Sequence, residues 1–392
     1  MAETVNVKNI GLRGVTVADT RVSFIDGQEG ILIYRGYRIE ELAKHSSFME
    51  VSFLLLHGRL PSPEELQAFT AEVGEARELP DFIFDCFRKY PPGAHPMDVL
   101  QASVPLLSVL DPDRGDDSRE ANVRMAMRLI ARLPALAAAW HRIRNGLAPL
   151  PPDPDLPHAA NFLWQLHGER PEKSAAHDLD VCLILHADHT FNASTFACRE
   201  VVSTRAHMYA GVAAGIGALS GPLHGGANAR VMEMLMALEG ETDIPGWVKK
   251  TLDRGEKIMG MGHAVYKTYD PRARILREMA LRLGRKDEAG GLHLRATSLE
   301  EAAMAEFSRR GKPFIQPNVD FFSSLVYRAL AIPIDLMTPI FSIARIAGWC
   351  AHIIEEKTGE AQEKPTLYRP KAEYVGRYCG LMGCSYTPLD TR

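Results

Sequence analysis

No basic excess, no long hydrophobic run and no paired-cysteine motif marks this chain of 392 residues. Its 45 Lys and Arg against 49 Asp and Glu give a net charge of −4, so the cationic footprint of a nucleic-acid binder is missing. The longest weakly polar run, Met208 to Gly221, is shorter and richer in glycine than the roughly 20-residue span a bilayer requires. The opening residues, MAETVNVKNIGLRG, lack the basic start and apolar stretch of a signal peptide. Six cysteines (Cys86, Cys182, Cys198, Cys350, Cys379, Cys384) include no CxxC pair, and their scatter predicts reduced thiols in a cytoplasmic protein rather than a disulfide framework. Internal repeats and low-complexity segments are absent as well.

What remains is the composition of a soluble globular chain, 46% hydrophobic and 24% charged, with length for about two domains. Val15 to Ile25 and Ile31 to Tyr34 flank Asp26-Gly27 and predict a hairpin, the only clear β region. After it the apolar period is helical. Ile39 to Ala43 and Met49 to His57 predict short helices, and Ser62-Pro63-Glu64-Glu65 is a capping box opening a helix that runs to about Arg77. His95-Pro96 opens another, through Leu110. Ser118 to Asn145 predicts a long helix that Pro134 should kink or divide, because proline lacks an N–H and crowds the preceding turn. Pro149 to Asp155 reads as a stiff connection inside one domain, since helical patterning resumes at His158. Within Met208 to Leu219, the small residues Ala210, Gly211, Ala213, Ala214, Gly215 and Gly217 predict a close helix pair, of the kind found in a core or across a dimer interface.

The chemistry-bearing residues gather in four clusters. The stretch Ile258 to Arg274, IMGMGHAVYKTYDPRAR, places Gly260 and Gly262 before His263, with Lys267 and Asp270-Pro271-Arg272 after it. Asp270 reads as a helix N-cap with proline at the first position. The orphan N–H groups of that helix, together with Arg272, predict a site for a carboxylate or phosphate. The glycines admit close backbone approach to a ligand, but they form no dinucleotide fingerprint: a third glycine and a preceding apolar strand are missing. A second cluster, His186-Ala187-Asp188-His189 followed by Asn192 and Ser194, has the residue types of a zinc site without a convincing third and fourth ligand. The third, GPLHGGAN, sets His224 among glycines before a helix, and the fourth, Pro317-Asn318-Val319-Asp320, puts a carboxylate at the start of a helix expected over Phe321 to Ala331.

In this order the four clusters resemble the citrate synthase family. GPLHGGAN at 221–228, GMGHAVYKTYDPR at 260–272 and PNVD at 317–320 are similar to its three catalytic segments, and HADHTFNAST at 186–195 to a further signature. YRGYRIEELA, LLLHGRLP and LYRPKAEYVG extend the likeness over nearly the whole chain, with Gly284 to Lys312 the least distinctive part. The length is similar to that of the short, dimeric branch. The resemblance implies a mainly α, two-domain helical fold with a small N-terminal β-hairpin. The large domain would take 1–226 and 338–392 and the small one 227–337, with Gly221, Gly225 and Gly226 as hinge residues.

The implied activity is that of an acyltransferase of the tricarboxylic acid cycle, condensing oxaloacetate with acetyl-CoA and hydrolysing citryl-CoA to citrate and CoA. By the same resemblance Asp320 is the base, His224 stabilises the enolate, and His263 polarises the oxaloacetate keto group. His189, Arg272, Arg345 and Arg369 would bind oxaloacetate, Arg369 from the other subunit of a homodimer. Ile258, Met259, Gly260, Gly262, Lys267 and Asn318 would meet CoA. No metal or redox cofactor is implied, and neither nucleic acid nor membrane as a partner. Two departures stand out: Ala264 follows the histidine where many bacterial members carry arginine, and PNVDFFSS lacks the commoner tyrosine and glycine after the aspartate. Three other readings compete. They are a 2-methylcitrate synthase using propionyl-CoA, a metal-dependent hydrolase built on His186, Asp188, His189 and His224, and a non-catalytic CoA-binding relative.

Overall fold

The computed structural model describes residues 8–12, 14–284, 291–377 and 380–392. It opens with a three-stranded antiparallel sheet of β1 (Ser23–Asp26), β2 (Ile31–Tyr34) and β3 (Tyr37–Arg38), in which Ser23 faces Tyr34 and Asp26 faces Ile31. The expected strand from Val15 shrinks to its last few residues. β2 is only four residues long, so a longer β1 would have had no ladder to join.

Helices account for nearly everything else. They are α1 (Ile39–His45), α2 (Phe48–His57), α3 (Pro63–Glu75), α4 (Asp81–Lys89), α5 (Pro96–Ser108), α6 (Arg119–Arg144), α7 (His158–His167) and α8 (Lys173–His186). There follow α9 (Ala193–Ser203), α10 (Met208–Ser220), α11 (Ala227–Ala237), α12 (Ile244–Asp253), α13 (Pro271–Gly284), α14 (Leu292–Arg309), α15 (Val319–Ala329) and α16 (Met337–Thr358). Their starts follow the sequence signals: Ser62 and Glu65 form the reciprocal capping box of α3, and the Asn192 side chain accepts the Ser194 and Thr195 amides at the head of α9. Pro134 does not divide α6, which runs unbroken for 26 residues. Burial of the helix between α7 and α16 outweighs the one backbone hydrogen bond that proline omits.

The organising element is α16, whose length and apolar character the sequence reading passed over. With the short 3₁₀ turn before it, it is long and apolar enough to cross a bilayer, yet 94% of its most apolar window is buried inside the molecule. It packs on α2, α5, α6, α8, α9 and α10. The small residues of α10 do serve close packing: a Cβ on Gly215 would collide with Trp349 of α16 and the Cys198 thiol of α9. Helices α11 to α15 pack largely on one another and meet the rest through α13 on α1 and α8, α15 on α8, and α11 on α16. The cleft lies along that seam. Cys86, Cys182, Cys198 and Cys350 are free as expected, but Cys384 is disulfide-bonded, which corrects the expectation of reduced thiols at that position; Cys379 lies outside the described residues.

Candidate active site

The HADH segment joins α8 to α9 across the floor of the cleft. His186 gives its Nδ1 hydrogen to the Cys182 carbonyl at 2.7 Å, and Asp188 is tied to the Ser23 hydroxyl, the Thr190 amide and His352 Nε2. These two are therefore structural. Among the described residues no three His, Cys, Asp or Glu side chains converge to hold a metal, so the hydrolase reading loses its ligand set. His189 differs from its neighbours: it is buried, its Nε2 has no partner, and burial, then Arg272, His263, Arg345 and His224, push its pKa far down. A neutral imidazole surrounded by two guanidiniums and two further histidines marks the centre of the site.

His224 stands in the turn between α10 and α11, which Arg230 clamps by donating to the carbonyls of Pro222, Gly225 and Gly226. The Ser194 amide is shared between Asn192 Oδ1 and His224 Nε2, each at 3.1 Å, and the Ser194 hydroxyl sits 2.9 Å from the same imidazole nitrogen while accepting from Trp349 Nε1 at 3.1 Å. An amide only donates, so Nε2 accepts and the proton resides on Nδ1. Burial and then Arg345 push His224 down to about 4, which keeps the ring neutral. The sequence offered Ser194 only as part of a signature. Its position at the first turn of α9, where amides lack helical partners, was the available signal. Nothing local pointed to Trp349.

The His263 loop is stitched to the segment before α15. Gly262 N donates to Gln316 O at 2.8 Å, Asn318 N to Gly260 O at 2.9 Å, and Asn318 Nδ2 to Gly262 O at 2.8 Å. Gly260 has φ +77°, and a Cβ there would come within 2.8 Å of both Phe321 and Val231, so this backbone demands glycine. Ile258 and Met259 turn inward, leaving backbone to line the cleft. His263 Nδ1 accepts from the amides of Val265 at 2.9 Å and Tyr266 at 3.2 Å, which places its proton on Nε2. Burial and then Arg272 push it down to about 4. His189, His263 and Tyr266 pack as a ring cluster with centroids 4.8–5.6 Å apart.

The cationic partners are buried as well. Arg345 donates from Nε to the His186 carbonyl at 2.7 Å, and burial pushes its guanidinium down to about 10. Arg272 makes a two-point pair with Asp270, Nε to Oδ1 at 3.0 Å and Nη2 to Oδ2 at 2.8 Å, and its own amide is capped by Asp270 Oδ1. The N-terminus of α13 is thus filled by its own aspartate, a correction to its reading as an open anion site; the guanidinium edge beyond Asp270 is what remains for a ligand. Asp320 is the second residue of α15, and the cap is Asn318, whose Oδ1 accepts the Asp320 amide at 3.0 Å. The helix accordingly begins at Val319, earlier than expected. Although part of its surface is accessible, protein surrounds the Asp320 carboxyl closely: burial pushes it up to about 6 against the opposing pull of Arg272, Arg345 and Arg230.

The structure thus gathers His189, His224, His263, Arg272, Arg345 and Asp320, with the Ile258–Gly262 backbone and Asn318 alongside. Lys267 is exposed at the rim, its amide bonded to Gly27 O at 2.8 Å. Arg369 is exposed on the C-terminal segment, next to Tyr368, which packs on Phe196 and bonds Glu356.

Residues 11–371 match the family described as citrate synthase, C-terminal domain. The chain is 44% identical to the citrate synthase of Synechocystis sp. over 97% of its own length and 93% of that protein, and 43% identical to that of Haloferax volcanii over 97% and 98%. Its fold is similar to the crystal structure of citrate synthase from Pyrobaculum aerophilum, with a TM-score of 0.91, 36% identity and full coverage of both chains. It is also similar to a ternary complex of the Thermoplasma acidophilum citrate synthase with carboxymethyl coenzyme A and oxaloacetate, with a TM-score of 0.88 and 32% identity over 97% and 98%.

Proposed function

The chain belongs to the citrate synthase family and is an acyltransferase, and from that premise we propose how its own residues condense oxaloacetate with acetyl-CoA. The observation that carries the assignment is a pair of neutral imidazoles with opposite tautomers, His224 as Nδ1–H and His263 as Nε2–H, beside a carboxyl raised by burial. A base alone does not deprotonate a thioester methyl; an oxygen-directed donor must take up the charge that forms.

In this reading Arg272, Arg345 and His189 hold oxaloacetate, and His263 Nε2–H donates to its keto oxygen, making the carbon electrophilic. Asp320 removes a proton from the acetyl methyl while His224 Nδ1–H donates to the thioester oxygen. The enolate carbon then bonds to the keto carbon, and the alkoxide takes the Nε2 proton of His263, giving citryl-CoA. Water cleaves the thioester, releasing citrate and CoA. Burial suits each role: it keeps both histidines neutral donors and strengthens Asp320 as a base by raising it toward neutrality. The sequence of steps uses no metal or redox cofactor. The backbone of Ile258 to Gly262, Asn318 and Lys267 form the CoA side of the cleft.

We further place the domain boundary at 227–337 against the remainder, with closure over oxaloacetate excluding water. The grouping of α11 to α15 supports it. A cytoplasmic homodimer completes the reading. The half-buried face of α10 at Ala213, Ala214, Gly217 and Ala218, and the exposed apolar residues of the C-terminal segment (Leu367, Val375, Leu381, Met382), leave apolar surface for a second copy, and Arg369 sits on that segment. The test is initial-rate thiol release from acetyl-CoA and propionyl-CoA, with and without oxaloacetate, on chelated protein. Oxaloacetate-dependent release faster from acetyl-CoA is expected; faster release from propionyl-CoA would reassign the acyl substrate.

A further inference from the structure

Three consecutive amides of the His263 loop have fixed partners. Those of Val265 and Tyr266 point at His263 Nδ1, and that of Lys267 points away, to the carbonyl of Gly27 at 2.8 Å. Gly27 lies in the turn joining β1 to β2, so the hairpin buttresses the loop that fixes the tautomer of His263. The contact is tight. A Cβ built on Gly27 would overlap the Val265 carbonyl, and one on Gly30 would come within 2.9 Å of Thr268 Cγ2 and 3.1 Å of Tyr269 O.

The two glycines are required for different reasons. Gly30 has φ +67°, so the turn itself needs glycine there. Gly27 is outside the left-handed region, and the hairpin alone would accept alanine at that position; only the loop pressed against it demands the missing Cβ. Asp26 holds the turn by accepting the amides of Gln28 at 2.9 Å and Glu29 at 3.0 Å.

We infer that the hairpin turn at Asp26–Gly30 is a positioning element of the condensation, holding residues 265–267 so that their amides keep His263 aimed as an Nε2–H donor. The inference rests on the role given to His263 above. By the domain division proposed there, the hairpin and the loop belong to different domains, so this contact would also carry cleft closure directly into the state of a reacting side chain.

The test is a kinetic series of wild type, Gly27→Ala, Asp26→Ala, Asp26→Asn, Gln28→Ala and His263→Asn, with circular dichroism and melting to confirm folding. Displacing a reacting group by about 1 Å costs roughly 100-fold, so Gly27→Ala should lower kcat/KM for oxaloacetate by about that factor. A merely structural role would loosen substrate binding and raise the KM for oxaloacetate, whereas a misaimed donor to the keto oxygen lowers kcat with that KM nearly unchanged. The acid limb of the pH profile should follow one proton in wild type and variant alike, Asp320 at about 6, because His263 lies lower at about 4. His263 is faced by Arg272, Asp270 and Lys267 from its own segment, by the Tyr266 ring and by His189 from the HADH floor, none of which the substitution removes. Burial and Arg272 therefore keep the ring neutral in the variant, and what it loses with its two amides is the fixed placement of its proton on Nε2.

Asp26→Ala should move in the same direction by less, Asp26→Asn should restore it, and exposed Gln28→Ala should match wild type. A folded Gly27→Ala enzyme with wild-type kcat/KM, or with a lower value that arises from KM alone, overturns the inference. If Gly27→Ala does not fold, the Asp26 pair decides: equal activity in alanine and asparagine variants overturns it. Full activity in His263→Asn would instead sink the role assigned to that histidine.

Discussion

The Ser194 amide meets His224 Nε2 at 3.1 Å, and the direction of that bond cannot reverse because a peptide N–H has no acceptor capacity. The proton of the imidazole is thereby left on Nδ1. Replacing His224 by Asn should lower kcat by about 10²–10³-fold, the usual loss for one donor to a developing oxyanion, with the KM for oxaloacetate nearly unchanged. Ser194→Ala keeps the amide and removes only the hydroxyl that bridges Trp349 to the ring. It should therefore cost less than the His224 change; steady-state rates on the two variants check this, and an equal loss in both would contradict the part given to the amide.

Asp320 makes a prediction for stability as well as rate. Burial raises its native pKa to about 6, above the unfolded value near 3.8, so the native state favours the protonated form. The contribution of such a group is fully present below the unfolded pKa and is lost as pH rises through about 6. Asparagine mimics the protonated carboxyl. Asp320→Asn should therefore match wild-type stability near pH 4 and exceed it by roughly 2 kcal/mol at pH 7, while lowering kcat by about 10²–10⁴-fold. Denaturant midpoints at the two pH values supply the stability half of the test; a variant destabilised at pH 7 would contradict it.

The sequence made His224 and His263 visible because each lies in a short glycine-rich segment, Asp320 because it follows Pro317-Asn318 at a helix start, and helix starts generally because they are written locally in caps such as Ser62 and Asn192. Relationships between distant residues were hidden. Asp188 is the same residue type as Asp320, yet it is spent on Ser23 and His352, and only the packing of α16 against the HADH floor reveals this. Pro134 signalled a break that tertiary burial overrode. The strand from Val15 failed for a similar reason, since its apolar residues had no partner ladder to join. The dependence of His263 on Gly27 spans more than two hundred residues and leaves only a two-residue turn signal in the sequence.

Arg272 and Asp270 form a buried two-point pair, and removing one partner of such a pair strands the other. Asp270→Asn should lower unfolding free energy by about 3–5 kcal/mol in the absence of substrate. By the proposed reading, oxaloacetate would supply a carboxylate to the same guanidinium. Its addition should therefore raise the melting temperature of the variant more than that of the wild type, and equal ligand-induced shifts in both would remove Arg272 from the substrate's binding set.

Arg369 is exposed on the C-terminal segment, and its proposed reach into the partner's site makes the dimer testable through function. Arg369→Ala and His224→Asn homodimers should each be nearly inactive. If Arg369 reaches the partner's site, a mixed dimer holds one site with an intact His224 from one chain and an intact Arg369 from the other. Its second site carries both lesions. Random assortment makes about half of the dimers mixed, each with one working site, so unfolding and refolding an equimolar mixture should recover about a quarter of wild-type activity. An arginine acting within its own chain gives no complete site in any combination. Recovery at that level thus requires a shared site, whereas a mixture as inactive as its parents, with mixed dimers confirmed by mass, would return Arg369 to a surface role.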